Sequence, residues 1–152
     1  LEIKPVQQPM PVWFGGGHPN AIRRAARHAD GWMGAGTSTT AQFKEDVGLL
    51  RRELEIRGRD PAAFPLAKRV YVSVAPDKRK ARGNMLEGLT RVYGRDRGEA
   101  TLEAAVYGTP DECAEGLAEV IAAGAGHIGL NQLFGHQEHL DVMAEQVIPA
   151  IG

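Results

Sequence analysis

The sequence predicts an α/β fold of parallel strands, and three observations predict it. Short apolar runs alternate with amphipathic helical stretches four times along the 152 residues. Strands that alternate with helices pair in parallel through right-handed crossovers. The 19 glycines gather at joints between these runs, as many short elements with sharp turns require. The composition, 43% hydrophobic and 24% charged, is that of a globular domain able to bury a core. Residues 1–152 therefore read as a single domain without linker or internal repeat.

The elements follow in order. Residues 1–10 hold two prolines and little periodicity, an extended lead-in. Pro11-Val12-Trp13-Phe14 is a short apolar strand stopped by Gly15-Gly16-Gly17. Pro19 suits the first turn of a helix in which Ile22, Ala25, Ala26 and Ala29 oppose Arg23, Arg24 and Arg27. After Asp30-Gly31, the run Trp32-Met33-Gly34-Ala35-Gly36 is a second strand. Residues 37–40 form a hydroxyl-rich loop able to cap a helix carrying Phe43, Val47, Leu50 and Leu54 on one face. Gly58 suits the position after that helix, and Asp60-Pro61 marks the break.

Residues 69–75 are the strongest strand signal, rich in β-branched side chains. Pro76-Asp77 turns into a helix that aligns Ala81, Met85, Leu89 and Val92. Residues 94–107 support no single assignment. Thr109-Pro110-Asp111-Glu112 is a capping box, Thr at N-cap and Glu at N3, opening a helix with Leu117, Val120 and Ile121 on its apolar face. Gly124 and Gly126 close it, residues 127–133 form a fourth strand, and a last helix from about His139 carries Val142, Met143, Val147 and Ile148. Four β/α units are about half of a (β/α)8 barrel, which takes ~250 residues. An open four-stranded sheet has the same pattern, and periodicity does not separate the two.

Several function classes are excluded. A net charge of −1 gives no basic field for nucleic acid or an anionic membrane. No apolar run approaches the roughly 18 to 20 residues of a membrane span. Cys113 is the one cysteine, so neither an internal disulfide nor a thiolate metal cage can form. That suits a reducing compartment, and the expected location is cytoplasmic. The chain opens Leu1-Glu2-Ile3-Lys4 with neither an initiator Met nor a signal pattern, which reads as a cut or processed start.

The candidate site is a pair of glycine joints. Gly15, Gly16 and Gly17 lie between a strand end and a helix start, where bare backbone approaches a ligand and amide N–H groups face an anion. Gly34, Ala35, Gly36, Thr37 and Ser38 repeat this one unit later and add hydroxyls. In a parallel barrel the two joints are neighbours at the C-terminal ends of the strands, where ligands bind. Together they predict a phosphate-type site. Neither has the spacing of a dinucleotide fingerprint or the Lys-Ser/Thr ending of a P-loop.

Other polar residues carry less. His136, Glu138 and His139 read as capping and surface groups, not metal ligands. His18 could touch a phosphate, Arg27 and His28 face outward, and His127 suits a structural hydrogen bond. Cys113 lies in a first helical turn that would lower its pKa, yet has no nucleophile pattern around it. Asn131 and Gln132 could point into the mouth of a barrel. Trp13, Trp32 and Tyr71 read as core. No residue has a motif that assigns it a catalytic role.

The stretch from Pro9 to Gly36, P-M-P-V-W-F-G-G-G-H-P-N-A-I-R-R-A-A-R-H-A-D-G-W-M-G-A-G, resembles the luciferase-like monooxygenase family. Gly58-Arg59-Asp60-Pro61 and Gly108-Thr109-Pro110-Asp111-Glu112 resemble further segments of that family in the same order, so the likeness covers nearly the whole chain. It implies the C-terminal half of a TIM (β/α)8 barrel, from the fifth strand onward, with strands one to four before Leu1. It also implies a reduced flavin (FMN) or the deazaflavin coenzyme F420 as cofactor and a small organic molecule as substrate. The chemistry would be hydride transfer or oxygen insertion. Gly15, Gly16, Gly17 and residues 34–38 would then hold the cofactor phosphate. Lys4-Pro5-Val6-Gln7-Gln8-Pro9 and the Arg-rich helix look more like the deazaflavin branch. A half barrel exposes two sheet edges and an apolar inner face, which implies a complementary N-terminal half-barrel or a homo-oligomer, and an isolated chain that is inactive. The competing expectation is a non-catalytic, self-associating α/β domain that binds a phosphorylated ligand.

Overall fold

The computed structural model describes residues 6–151, so Lys4 and Pro5 of the lead-in lie outside the described residues. The order is β1 (Trp13–Gly15), α1 (Pro19–His28), β2 (Gly31–Gly34), α2 (Thr40–Ile56), β3 (Leu66–Val74), α3 (Lys78–Tyr93) and α4 (Arg95–Leu102). There follow β4 (Val106–Gly108), α5 (Pro110–Ala122), β5 (His127–Asn131) and α6 (His136–Val142). α6 runs on through a wider π turn, Met143–Val147, and a tight turn, Ile148–Ala150. Every pairing is parallel: β1 with β2, β2 with the start of β3, and β5 with β3 from Ala67 to Tyr71. β4 pairs only with the end of β3, Val72 to Val74.

The alternation of β3 divides the molecule. Leu66, Val70, Val72 and Val74 enter the larger core, where Ile22, Phe43, Leu50 and Leu54 from α1 and α2 meet Leu117 and Val120 of α5 and Met143. Ala67, Arg69, Tyr71 and Ser73 face the other way. There helices cover the upper end: Tyr71 packs with Met85 and Leu89 of α3 and Leu102 of α4. Lower down, Trp13 and Met33 each keep 39% of their surface exposed.

That second face is curved. β1 and β5 are three strand spacings apart, roughly 14 Å along a flat sheet. Yet the Trp13 ring meets the His127 ring edge-on at 5.9 Å. Gly31 makes room, since a Cβ there would stand 2.6 Å from the indole. The sheet curls around Trp13 as the inner wall of a barrel does.

Several expectations are corrected. β3 begins at Leu66, three residues before the β-branched run, and β4 falls in the stretch that periodicity left unassigned. Val92 is 55% exposed because Gly88 takes its place on the buried face of α3. Ile121 is likewise exposed on α5. The last strand stops at Asn131, and the last helix starts at His136.

Candidate functional site

β1 and β2 are hydrogen-bonded neighbours, so their glycine joints emerge side by side. The Gly16 amide donates to the Met33 carbonyl at 3.3 Å, and the Trp32 indole N–H donates to the Gly16 carbonyl at 3.0 Å. Gly16 sits at φ +105°, which a side chain would strain. One residue on, a Cβ at Gly17 would stand 3.5 Å from Ser38 Oγ and 2.8 Å from Asp46 Oδ2. The two joints therefore meet at Gly17 and Ser38. Gly34 is small for a packing reason: a Cβ there would lie 2.5 Å from the Phe43 ring, which stacks on Trp32.

Which donors remain open follows from the hydrogen bonds already made. In α1, Pro19 has no N–H, Asn20 N donates to His18 Nδ1 at 3.2 Å, and Ala21 N and Ile22 N both donate to the His18 carbonyl. In α2, Thr39 and Gln42 satisfy each other through a capping box. Ser38 N donates to the Ala35 carbonyl. The amides of Gly17, His18, Gly36 and Thr37 donate to nothing among the described residues. The free donors thus belong to the loops and not to the helix ends. His18 is occupied as a helix cap.

Two consecutive residues of β3 flank the second joint. Lys68 is buried on the helix side, where its Nζ donates to the carbonyls of Ser38 at 2.7 Å and Ala35 at 3.1 Å and lies over the Phe43 ring. Burial pushes its pKa down to about 8; Asp46 opposes this and Arg69 adds to it. The Asp46 carboxyl is held above its ordinary range by burial and by Glu45, with Lys68 opposing. Lys68 thus clamps the loop from behind.

Arg69, half-buried, lies in front. A Cβ at Gly36 would stand 2.8 Å from Arg69 Nε and 3.0 Å from Tyr71 Cε2, so a side chain there would push Arg69 aside. The Arg69 guanidinium rests 5.4 Å from the centre of the Tyr71 ring. Tyr71 is in turn fixed by a 2.5 Å hydrogen bond between its hydroxyl and that of Tyr93, and burial together with this bond raises its pKa to about 12. Asn131 pairs with Tyr71 across the strands and is half-buried on the same face. The Gln132 amide nitrogen and Ser73 hydroxyl are buried without partners among the described residues.

Lys68, Arg69, Asp46 and the Tyr71–Tyr93 pair were not legible as site residues in the sequence. Their signal is the strand alternation of Lys68-Arg69, usable once Gly34 is known to pair with Lys68.

The weaker candidates lie elsewhere. Arg27 and His28 are exposed, and His127 meets Trp13. Cys113 is fully buried, with its thiol near the Ser73 and Gly108 carbonyls, and burial pushes its pKa up to about 11. This corrects the expected lowering: desolvation of the thiolate outweighs the first helical turn. His139 is buried, not a surface group, with Nδ1 at the Gly135 carbonyl and its ring against Phe134. It lines a cavity of about 580 Å³ with Val74, Lys80, Asn84 and Glu138, which none of the glycine-joint residues reaches. Among the described residues no three His, Cys, Asp or Glu side chains gather as metal ligands would. No helix among them is long and apolar enough to cross a membrane.

The luciferase-like monooxygenase family profile matches residues 1–127. The chain belongs to that family. Solved structures with the same fold include an F420-dependent secondary alcohol dehydrogenase in complex with an F420-acetone adduct, at 20% identity and a TM-score of 0.82. That match covers 100% of this chain and 52% of the dehydrogenase. A coenzyme F420-dependent tetrahydromethanopterin reductase from Methanopyrus kandleri matches at 15% identity and a TM-score of 0.76, covering 94% and 51%. A riboflavin lyase with modified FMN and riboflavin matches at 16% identity and a TM-score of 0.65, covering 90% and 41%. A comparison with curated protein sequences gives no match. The chain spans about half the length of these structures, and its fold is that of about half of a luciferase-like TIM barrel.

Proposed function

We propose that this chain supplies the cofactor-phosphate end of the active site of a flavin- or deazaflavin-dependent oxidoreductase acting on a small organic molecule. The observation that carries the reading is the convergence of the two joints, with the amides of Gly17, His18, Gly36 and Thr37 unspent at the C-terminal ends of adjacent parallel strands. Ligands of parallel α/β folds bind at that end. The residues fit the phosphate of FMN or coenzyme F420. Missing Cβ atoms at Gly17 and Gly36 open the backbone, and loop amides in a nest donate to an anion.

When bound, such a cofactor supplies hydride transfer or oxygen insertion. The chain's own residues bind and orient. Lys68 fixes the second loop through two carbonyls, so its amides need no reorganisation when the anion arrives. Ser38 adds a hydroxyl beside Gly17. Tyr71, under α3 and α4, keeps water from the inner face of β3. The open lower face, with Trp13 and Met33 exposed and β1 and β5 as edges, fits closure by a complementary N-terminal half-barrel.

Size-exclusion chromatography with light scattering tests this. The purified chain is run with FMN or F420 while visible absorbance is followed. Co-elution of the chromophore with the protein is the expected result. A colourless protein peak at saturating cofactor would overturn it.

A further inference from the structure

We propose that Arg69 is an oxyanion receptor on the inner face of β3, binding a phosphate or carboxylate jointly with the free amides of Gly36 and Thr37. The inference deepens the reading above and rests on it for the identity of the cofactor.

Three independent features lead here. Arg69 is half-buried, yet no carboxylate pairs with its guanidinium among the described residues, whereas Arg23, Arg57 and Arg91 all have one. A guanidinium withdrawn from water without a counter-ion is costly, and a ligand anion removes that cost. Its orientation is set beforehand: the ring of Tyr71 supports it, and Tyr93 holds Tyr71. An arm ordered in advance loses less freedom on binding. Finally, the bare Cα of Gly36 abuts Arg69 Nε, which brings the fork beside two amides that have no acceptor.

The placement of acid argues the same way. Among the described residues, Asp46 and no cation stands beside the first joint at Gly17, so the positive charge at the loop amides comes from the Gly36 side, where Arg69 lies. On the Arg69 side of the loop the guanidinium lies over Tyr71, which bonds Tyr93 and pairs across the strands with Asn131, and none of these is a carboxylate. An anion on the loop amides therefore finds its side-chain cation in Arg69, beside Gly36. The planar fork donates to two oxygens of one group side by side, which a lysine does not do.

Two sources of the oxyanion are separable: the cofactor's phosphate and an acidic substrate. The experiment uses the full chain, wild type, Arg69→Met and Arg69→Lys, with circular dichroism to establish folding. Inorganic phosphate is first titrated while the Arg69 Nε–H resonance is followed by NMR in the wild type. A saturable shift is expected, and no shift at this resonance would overturn the proposal even if FMN fails to bind. FMN and riboflavin, which differ by the phosphate, are then titrated by fluorescence quenching. If the phosphate is the source, Arg69→Met weakens FMN at least about tenfold, leaves riboflavin unchanged, and Arg69→Lys restores only part. If a substrate carboxylate is the source, FMN is unaffected, but benzoate binding to the FMN-loaded chain is lost in Arg69→Met. Equal affinities of wild type and both variants for FMN and benzoate alike would overturn the proposal.

Discussion

Replacing Lys68 by Met separates what its buried ammonium costs from what it holds. The side chain is 1% exposed, and burial lowers its pKa from 10.5 to about 8. In the unfolded chain the group titrates near its ordinary value. Across the window between those two values the unfolded state holds a proton that the native state has lost. Stability therefore rises with pH through that window. At about 1.4 kcal/mol per unit, the native state gains about 3 kcal/mol from this group on going from roughly pH 7 to roughly pH 11.

Lys68→Met keeps the length of the stem and removes both the charge and the donors to Ala35 and Ser38. The Ser38 carbonyl loses its lysine donor, at about 1–3 kcal/mol when buried, while the Ala35 carbonyl keeps the Ser38 amide. At neutral pH much of that is offset because no ammonium is desolvated. Wild type and variant should thus be closest near neutrality and diverge as pH rises, wild type gaining by about 3 kcal/mol. The assay is urea unfolding by tryptophan fluorescence at closely spaced pH values. Titration of Tyr71 and Cys113 is common to both proteins and cancels in the difference. Parallel stability curves across the window would refute the reasoning.

Other consequences follow from the packing. Gly34→Ala drives a methyl into Phe43, which cannot yield because it stacks on Trp32; a loss of about 1–3 kcal/mol in unfolding free energy is expected. Thr109→Ala removes the hydroxyl that caps α5 and should cost about 1 kcal/mol in the same measurement. Cys113, buried and with its pKa near 11, should react with iodoacetamide at mildly alkaline pH at least about a hundredfold more slowly than a free thiol. Rapid labelling would mean that the α5 N-terminus governs the thiol after all.

Much of the fold was legible because its signals are local. The capping box at Thr109 and Glu112 and the β-branched run of β3 need only neighbouring residues to form. β4 escaped because a three-residue strand has no periodicity of its own and exists only by pairing with Val72 to Val74. The glycine joints were visible as joints, but the uses of their glycines differ. Gly34 serves Phe43, Gly16 a turn, and Gly36 the approach to Arg69, distinctions that depend on contacts distant in sequence. Arg69 opens the strand the sequence predicts and Lys68 lies just before it, and nothing local gives either a role. Their opposite roles arise from the alternation of β3 once Gly34 sets its register. The Cys113 expectation failed for the same reason, since burial under Ser73 and Gly108 is a tertiary fact.

The central claim is that a cofactor phosphate is held by loop amides where the two glycine joints meet. The most direct measurement is an amide NMR titration of the labelled chain with FMN, with riboflavin as the control lacking phosphate. The account predicts that Gly17, His18, Gly36 and Thr37 shift with FMN and move much less with riboflavin. Shifts confined to the cavity around His139, or identical shifts with both ligands, would contradict it.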